Sequence, residues 1–268
     1  MAKVLNLEYV NPKTKVKSFG KIEIKNLTAK SADLSFYGDI CSSTWDAWQQ
    51  EDMCPQDVAD FLNSLDGVQV INVYINSGGG DSFAGLAIYN ILKRNSARKD
   101  VHVDGLAASA ASVIAMVGTL EGNTLIIPTG AQLMIHNAWT IAMGYASDFR
   151  QVADTLDKVS QSYVDVYAEN AVEGVTKDQL KRMCDAETWM TGAEAAQYFK
   201  NIQTEGEQIA ACAGSEFFSK YKNLPKDLNV QSATPPPADP PPPIDPPQDD
   251  NEDKVKLAKA KLALSLAL

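Results

Sequence analysis

A short apolar run at residues 70–75, VINVYI, ends at Asn76, Ser77 and three consecutive glycines, Gly78 to Gly80. Mainly apolar runs of this length are typical of strands buried in a parallel sheet. Glycines directly after such a strand let the backbone turn tightly and leave amide N–H groups facing a ligand. The chain lacks the glycine-rich patterns of nucleotide sites, so a phosphate cradle has little support and the segment predicts a buried strand with a tight turn.

Helix-like and strand-like patterns alternate along the chain after this turn. The predicted elements are a helix at 82–95 capped by Ser82, a strand at 101–103, a small-residue helix at 109–117, strands at 124–127 and 132–135, and a long amphipathic helix at 147–171. Thr176 and Gln179 form a capping box that predicts a further helix start. Because strands and crossover helices follow one another, we predict a right-handed α/β architecture.

The composition changes near Lys226 and divides the chain into three parts. Nine of the thirteen residues 235–247 are proline, and an acidic run follows them. Proline removes backbone donors and favours an extended chain, so this stretch cannot join a packed core. We predict a folded domain over residues 1–225, a disordered acidic linker over 226–253, and a short C-terminal helix over 254–268 that folds on binding a partner. A frayed tail or a processed terminus is the alternative for residues 254–268.

Charge and composition limit the partners of the chain. The net charge of −10 argues against nucleic acid as a partner. No segment has the roughly 18 apolar residues that span a bilayer, and residues 1–10 do not resemble a signal peptide, so we expect a cytoplasmic protein. The four cysteines form no C-x-x-C pair, and we predict neither a metal nor a cofactor.

Ser109 stands where a predicted strand meets the small-residue helix, in Gly105-Leu-Ala-Ala-Ser109. At this position the helix dipole and free N–H groups favour a developing oxyanion close to the serine hydroxyl. Taken alone, however, the segment favours an N-cap serine over a nucleophile. Ser112 follows one turn later and is predicted to pack or to hydrogen-bond the preceding backbone.

The chain contains only two histidines, His102 and His136. His102 alternates with Val101 and Val103 in a predicted strand, which favours a structural role. His136 ends an apolar strand, where an imidazole can accept the proton of a serine hydroxyl. A lone histidine at such a position is usually structural, so catalysis is indicated by the combination of His136 with Ser109 and the glycine turn.

Together, three motifs over about residues 30–205 resemble those of the proteolytic subunit of Clp proteases, within the crotonase-like fold. They are Tyr74-Ile-Asn-Ser-Gly-Gly-Gly80, Gly105-Leu-Ala-Ala-Ser109 and Met134-Ile-His136, with Gly78 in place of the family's usual proline. The resemblance implies an α/β fold of repeated β-β-α units with a long handle helix. It also implies a ring-shaped oligomer, heptameric and single or stacked in pairs, that takes protein or peptide substrates.

The resemblance implies a role for each matching residue. Ser109 would attack the peptide carbonyl, and His136 would act as its general base. The backbone N–H groups of Gly80 and Ala110 would form the oxyanion hole. Gly79 and Asn137 would contact the substrate, which in this family binds as an added extended strand.

The sequence motifs identify the acid of the triad less directly than they identify the serine and the histidine. The family carries it two residues before an aromatic, and aligning Trp189 with that aromatic assigns the acid to Glu187, where the family usually has aspartate. Asp185 is the reserve for this role. Glu194 is interpreted as a helix-start residue.

The resemblance leads to a serine endopeptidase that works inside a ring. The segment Glu187-Thr-Trp-Met-Thr191 and the long C-terminal tail resemble those of Clp-like head maturation proteases of bacteriophages. We therefore predict that the protein processes capsid or scaffold proteins, in the host cytoplasm or the immature capsid. One alternative is an ATP-dependent degradative subunit that works with an AAA+ unfoldase. Another is a catalytically inactive assembly scaffold.

Two further enzyme classes share parts of this pattern. Crotonases use a similar backbone oxyanion hole for acyl-CoA thioesters, but they employ carboxylates instead of a serine and a histidine. A serine–lysine dyad would need a lysine from elsewhere, because none occurs between Asp100 and Asp157. Ser109 and His136 both fall on motifs of the Clp family, which favours the serine peptidase over these two.

Overall fold

The computed structural model describes residues 3–10, 17–24, 30–44, 47, 51–204 and 221–223. The described strands are β1 (Lys3–Val10), β2 (Lys17–Ile24), β3 (Ser31–Phe36), β4 (Val70–Ser77), β5 (Arg98–Ala108), β6 (Thr124–Ile126), β7 (Gln132–Ile135), β8 (Thr188–Thr191) and β9 (Ile202–Gln203). The described helices are α1 (Pro55–Asn63), α2 (Ser82–Arg94), α3 (Ala110–Ala115), α4 (Ala146–Glu169), α5 (Lys177–Asp185) and α6 (Gly192–Ala195), with a 3₁₀ turn at Met116–Thr119. The linker at 226–253 and the helix predicted at 254–268 lie outside the described residues.

Strands β3, β4, β5, β6 and β9 form a parallel sheet in that order, and β1 pairs with β2 in a separate antiparallel ribbon. The long strand β5 is shared between two partners. Its residues 100–102 pair with β6, whereas its residues 106–108 pair with β7, which in turn pairs antiparallel with β8. The alternation of parallel strands and helices confirms the predicted α/β class, and the fork of β5 brings the ends of β5 and β7 together.

Strand β4 shows why the apolar run folds as it does. Ile71, Val73 and Ile75 are fully buried, while the alternate residues of the strand are half-buried. The buried face of β4 contributes to one continuous core with apolar residues of α2, α3 and α4, including Ile88, Leu92, Val113, Val159, Tyr163 and Tyr167. This core supports the sheet edge at which the glycine turn follows β4.

Two predicted boundaries differ from the structure. β5 was expected only at 101–103, but it continues through Gly105 to Ala108, because residues 104–108 are buried and the end of the strand forms a ladder with β7. Strand β5 therefore runs up to Ser109.

Helix α2 is capped by Asp81 and not by Ser82, since the Asp81 carboxylate accepts a hydrogen bond from the Ala84 N–H at 2.7 Å.

The predicted long helix is confirmed as α4, and its two halves have different surroundings. Its buried residues all lie in the second half, from Val159 to Tyr167. The first half and the segment before it expose large apolar side chains: Ile141 (77%), Met143 (96%), Tyr145 (84%) and Phe149 (51%). The second half of α4 thus packs in the core of this chain, and the first half exposes apolar side chains at the surface.

Thr176 caps α5 as predicted, because its hydroxyl accepts a hydrogen bond from the Gln179 N–H at 3.2 Å. Cys41, Cys54 and Cys184 are buried, and Cys212 lies outside the described residues. Within the described part of the chain, no helix has both the length and the apolar composition needed to cross a membrane.

Candidate active site

Ser109 occupies the turn between β5 and α3 in an unusual backbone conformation. Its φ of 54° and ψ of −124° lie in a region that residues with a side chain rarely adopt. The Ser109 N–H donates to the carbonyl oxygen of Met134 at 3.0 Å, which ties the turn to β7. A sharp, strained strand-to-helix turn is also how α/β-hydrolases present a nucleophilic serine. This conformation is hard to explain for a serine that only caps a helix, which needs ordinary extended backbone angles.

The glycine turn after β4 lies directly against the Ser109 turn. A Cβ atom on Gly79 would lie 2.7 Å from the Ala108 oxygen, 2.8 Å from the Ser109 Cβ and 3.0 Å from the Ala110 nitrogen. Gly80 has a φ of +147°, and a Cβ there would lie 2.1 Å from the Ile40 oxygen. Both positions therefore require glycine, because any side chain would push the backbone apart.

His136 follows β7 and is brought to Ser109 by the pairing of β7 with β5. Its Nε2 atom lies 2.7 Å from the Ser109 Oγ atom, and the imidazole is buried. Burial lowers the pKa of His136 to about 4, the charge of Glu187 acts to raise that pKa, and Lys222 acts to lower it. The imidazole is therefore neutral at pH 7 and can accept the hydroxyl proton of Ser109 through Nε2.

Glu187 lies between α5 and β8 and is also buried. Its backbone φ is 50°, a conformation that usually favours glycine or asparagine at the end of a helix. One carboxylate oxygen, Oε1, accepts hydrogen bonds from the Asn223 N–H at 2.7 Å and the Trp189 indole at 3.3 Å, and Oε2 accepts from the Lys222 N–H at 2.9 Å. Within the described residues, no hydrogen bond joins Glu187 to His136, and the two interact through charge.

Asp185 lies in different surroundings. Its exposed carboxylate accepts a hydrogen bond from the Asn137 side-chain amide at 2.8 Å and forms an ion pair with Lys181 at 3.1 Å. These partners hold the pKa of Asp185 below its usual value. Asp185 and Asn137 both line a cavity of about 520 Å³ that does not include Ser109. Asp185 therefore lines a different cavity from Ser109, whereas the charge of Glu187 acts on His136.

A larger cavity of about 880 Å³ opens beside Ser109 and Gly80. One wall comes from the segment after His136 and from α4, and it is mainly apolar. Its apolar lining residues are Phe83, Ala138, Trp139, Ile141, Val152, Leu156 and Val159. Asp81 and Asp148 are its acidic lining residues. The cavity can therefore hold an apolar side chain next to the serine hydroxyl.

Sequence reasoning missed Tyr221, which also lines this cavity. Its ring lies edge-on to the His136 imidazole at a centroid distance of 5.4 Å and to Trp189 at 5.7 Å. Its hydroxyl donates a hydrogen bond to the carbonyl oxygen of Gly78. No local pattern marks Tyr221, because it lies beyond the part of the chain that carries the family motifs.

The residues that the sequence assigned to structural roles are found in such roles. The Ser112 hydroxyl lies 2.6 Å from the carbonyl oxygen of Ser109 and donates to it. His102 stacks on Tyr74 with ring centroids 4.9 Å apart. Glu194 completes a capping box with Thr191 at the start of α6. In the described ranges, no group of three or more His, Cys, Asp and Glu side chains could hold a metal ion.

The parallel sheet presents Ser109 on a strained strand-to-helix turn. Its Oγ atom lies 2.7 Å from Nε2 of the buried, neutral His136. This is the arrangement of a serine-hydrolase-type site. Residues 47–199, more than half of the chain, match the model of the family described as Clp protease. The chain belongs to the Clp protease family, as its three motifs indicated.

Several relatives of this chain carry the same name. The chain is 33% identical over 138 residues to the ATP-dependent Clp protease proteolytic subunit of Bacteroides fragilis, and the match covers 52% of this chain and 65% of the relative. The proteins of the same name from Porphyromonas gingivalis and Ligilactobacillus salivarius are 30% and 31% identical, with 60% and 68% of their lengths covered. The chain thus spans just under two thirds of the length of the B. fragilis relative.

Proposed function

We propose that this chain is a serine endopeptidase of the Clp type, with Ser109 as nucleophile and His136 as general base. The observation that carries the proposal is the 2.7 Å distance between Ser109 Oγ and His136 Nε2 at the mouth of an open cavity. Nucleophile and base must lie within this hydrogen-bonding range for the proton to move during attack. The strained turn at Ser109 supports the same role.

The proposed reaction proceeds in two halves. His136 Nε2 takes the hydroxyl proton as Ser109 Oγ bonds to the substrate carbonyl carbon, and the N–H groups of Gly80 and Ala110 stabilise the oxyanion. The histidine then gives its proton to the leaving amine, the C–N bond breaks, and an acyl ester on Ser109 remains. Water attacks this ester, again with His136 as base, and releases the second product.

Glu187 is proposed as the acid of the triad. Its negative charge favours the imidazolium that forms on His136 during attack, and this charge already acts to raise the pKa of His136. Asp185 is less suited, because it is exposed and its charge is compensated by Lys181. A glutamate at this position has one more methylene than the family's aspartate, and the positive φ of Glu187 supports a backbone adjusted to it.

The proposed substrate is an extended protein segment whose apolar side chain enters the cavity beside Ser109. The apolar wall formed by Trp139, Val152 and Leu156 supports this choice. Gly79 packs against the Ser109 turn, and contact with the substrate is proposed for its backbone. Asn137, which the sequence assigned to substrate contact, directs its amide to Asp185, so any contact with substrate from this residue is proposed for its backbone.

For the biological role, the names of the relatives favour the ATP-dependent proteolytic subunit over the phage protease. We therefore propose a ring of such subunits that receives substrates from an ATP-driven unfoldase. The exposed apolar side chains of Ile141, Met143 and Tyr145 support self-association. Capsid or scaffold processing is the second candidate, supported by the sequence Glu187-Thr-Trp-Met-Thr191 and by the long C-terminal tail.

A fluorophosphonate probe tests the chemistry, because it labels an activated serine and ignores an inert one. We expect labelling of the full chain at Ser109 together with hydrolysis of an apolar peptide ester, and loss of both in Ser109→Ala. An unlabelled, inactive but folded wild-type protein would refute the peptidase and leave an assembly scaffold. Co-purification with an unfoldase or with capsid proteins separates the two biological roles.

A further inference from the structure

Residues 221–223 contact His136 and Glu187 and line the cavity beside Ser109, although they lie 22 residues and more beyond the end of the family match at residue 199. The Tyr221 ring is perpendicular to the His136 imidazole, with an interplanar angle of 89°. Burial raises the pKa of the Tyr221 phenol. One buried tyrosine therefore packs against the base and lines the cavity beside the nucleophile.

The two residues that follow hold the acid. The backbone N–H groups of Lys222 and Asn223 donate to different oxygens of the Glu187 carboxylate, at 2.9 and 2.7 Å. The Asn223 side-chain amide also donates to the carbonyl oxygen of Ala186 at 2.8 Å, which fastens the segment beside the acid. A buried carboxylate needs such donors, because without them it loses the hydrogen bonds that water would supply.

Tyr221 forms a wall of the site and leaves it open. It lines the 880 Å³ cavity together with Ser109 and Gly80, so a substrate can still reach the nucleophile. The Tyr221 ring packs edge-on against both His136 and Trp189. Its hydroxyl donates a hydrogen bond to the carbonyl oxygen of Gly78, in the turn that precedes the proposed oxyanion hole. The segment thus joins the glycine turn, the base and the acid.

We propose that residues 221–223 are positioning residues of the active site. Tyr221 orients His136 and shields it from water, and the amides of Lys222 and Asn223 fix the Glu187 carboxylate. The inference rests on the proposed peptidase function and deepens it. It extends the functional peptidase unit beyond residue 199 to at least residue 223.

The first test compares Tyr221→Ala with Tyr221→Phe in the full-length chain, using a peptide ester over a range of pH. We expect kcat/KM to fall about 10–100-fold in Tyr221→Ala, since a small misplacement of catalytic groups has this effect. Water reaching His136 should also move the acidic limb of the pH profile upward, from near pH 4 towards 6.5. Tyr221→Phe keeps the ring and should restore most of the rate and the wild-type limb.

The pH profile distinguishes positioning from a merely structural role, because a partly unfolded enzyme loses active molecules without a shift of the limb. The charged groups that act on His136 are Glu187 and Lys222, and both are retained in the two Tyr221 variants. An unchanged rate and an unchanged limb in Tyr221→Ala would overturn the proposal. A higher rate would also overturn it, because the tyrosine would then be an inhibitory plug.

The second test addresses the amide donors. Lys222→Pro removes the N–H that Glu187 Oε2 accepts, whereas Lys222→Ala keeps it, and the Lys222 side chain is exposed. We expect Lys222→Pro to lower kcat/KM about tenfold further than Lys222→Ala. Equal rates in the two variants would overturn the role of the amides, and this pair decides the proposal if Tyr221→Ala does not fold. Failure of wild type to label with a fluorophosphonate is a separate result that overturns the peptidase itself.

Discussion

Ser109 Oγ and His136 Nε2 lie 2.7 Å apart although 27 residues separate them in the chain. The distance follows from the register of two parallel strands. Ala108 of β5 pairs with Met134 of β7, and the Ser109 N–H then bonds to the Met134 oxygen. Each reactive residue follows this last paired position by one or two residues, so the sheet itself sets their separation.

We expect Ser109→Ala and His136→Ala each to abolish peptide-ester hydrolysis while leaving the fold intact. A loss of about 10⁴–10⁶-fold is typical when one member of a nucleophile–base unit is removed. Such units are not additive, so the double variant should be little worse than either single one. Steady-state kinetics with circular dichroism as a folding control measures this, and full activity of Ser109→Ala would eliminate the assignment.

We expect Glu187→Gln to cost more activity than Asp185→Asn. The neutral amide that Glu187→Gln introduces lacks the charge that favours the His136 imidazolium, and loss of a triad acid reduces kcat by up to about 10⁴-fold. Asp185 is exposed and lies in a neighbouring cavity, so we expect less than about a tenfold loss there. The exposed Glu173→Gln serves as a control for the change of charge, and an inactive Asp185→Asn would transfer the role to the reserve residue.

We expect the acidic limb of kcat/KM to lie near pH 4. Burial lowers the pKa of His136 to about 4, so the imidazole stays neutral and able to accept a proton at higher pH. As the pH falls through this value the imidazole gains a proton, and the general base is lost. A pH–rate profile of the free enzyme measures the limb, and a midpoint near the ordinary histidine pKa of about 6.5 would indicate a solvated histidine.

We expect the protein to form a ring-shaped oligomer of about seven subunits in the family's manner, single or stacked in pairs. The exposed side chains of Met143, Tyr145 and Phe149 near the start of α4 make this region the expected contact. Met143→Asp should shift light scattering towards smaller species, whereas Met143→Leu should not. A wild-type monomer that keeps its activity at micromolar concentration would contradict this expectation.

We expect deletion of residues 227–268 to leave hydrolysis of a small peptide ester nearly unchanged and to weaken recruitment of the assembly partner. The composition of this segment leads us to expect that its prolines and acids bury too little apolar surface to offset the ordering of the chain. A matched deletion of residues 221–268 also removes Tyr221 and should lose most of the esterase activity. If the shorter deletion loses it too, the tail belongs to the catalytic body, and unchanged recruitment would make it a passive extension.

The sequence by itself determined the features that depend on local pattern. Three such features are the apolar run before Gly78, the spacing of apolar residues along α4 and the helix cap at Thr176. Each reflects the conformational preferences of neighbouring residues. Ser109 and His136 could also be selected from short motifs, and the apolar strand before His136 marks its position, whereas the continuation of β5 up to Ser109 appears only in the structure. The Clp family followed from the order of these motifs.

Only the tertiary structure decided which groups meet across long separations in the chain. Glu187 and Asp185 are two residues apart and chemically alike, yet Glu187 is buried where its charge acts on His136, and Asp185 is exposed and paired with Lys181. Tyr221 has no local signal, because its role depends on packing against β7 and β8 from far along the chain. Burial and hydrogen bonding at such points arise from the assembled sheet, and no window of neighbouring residues contains them.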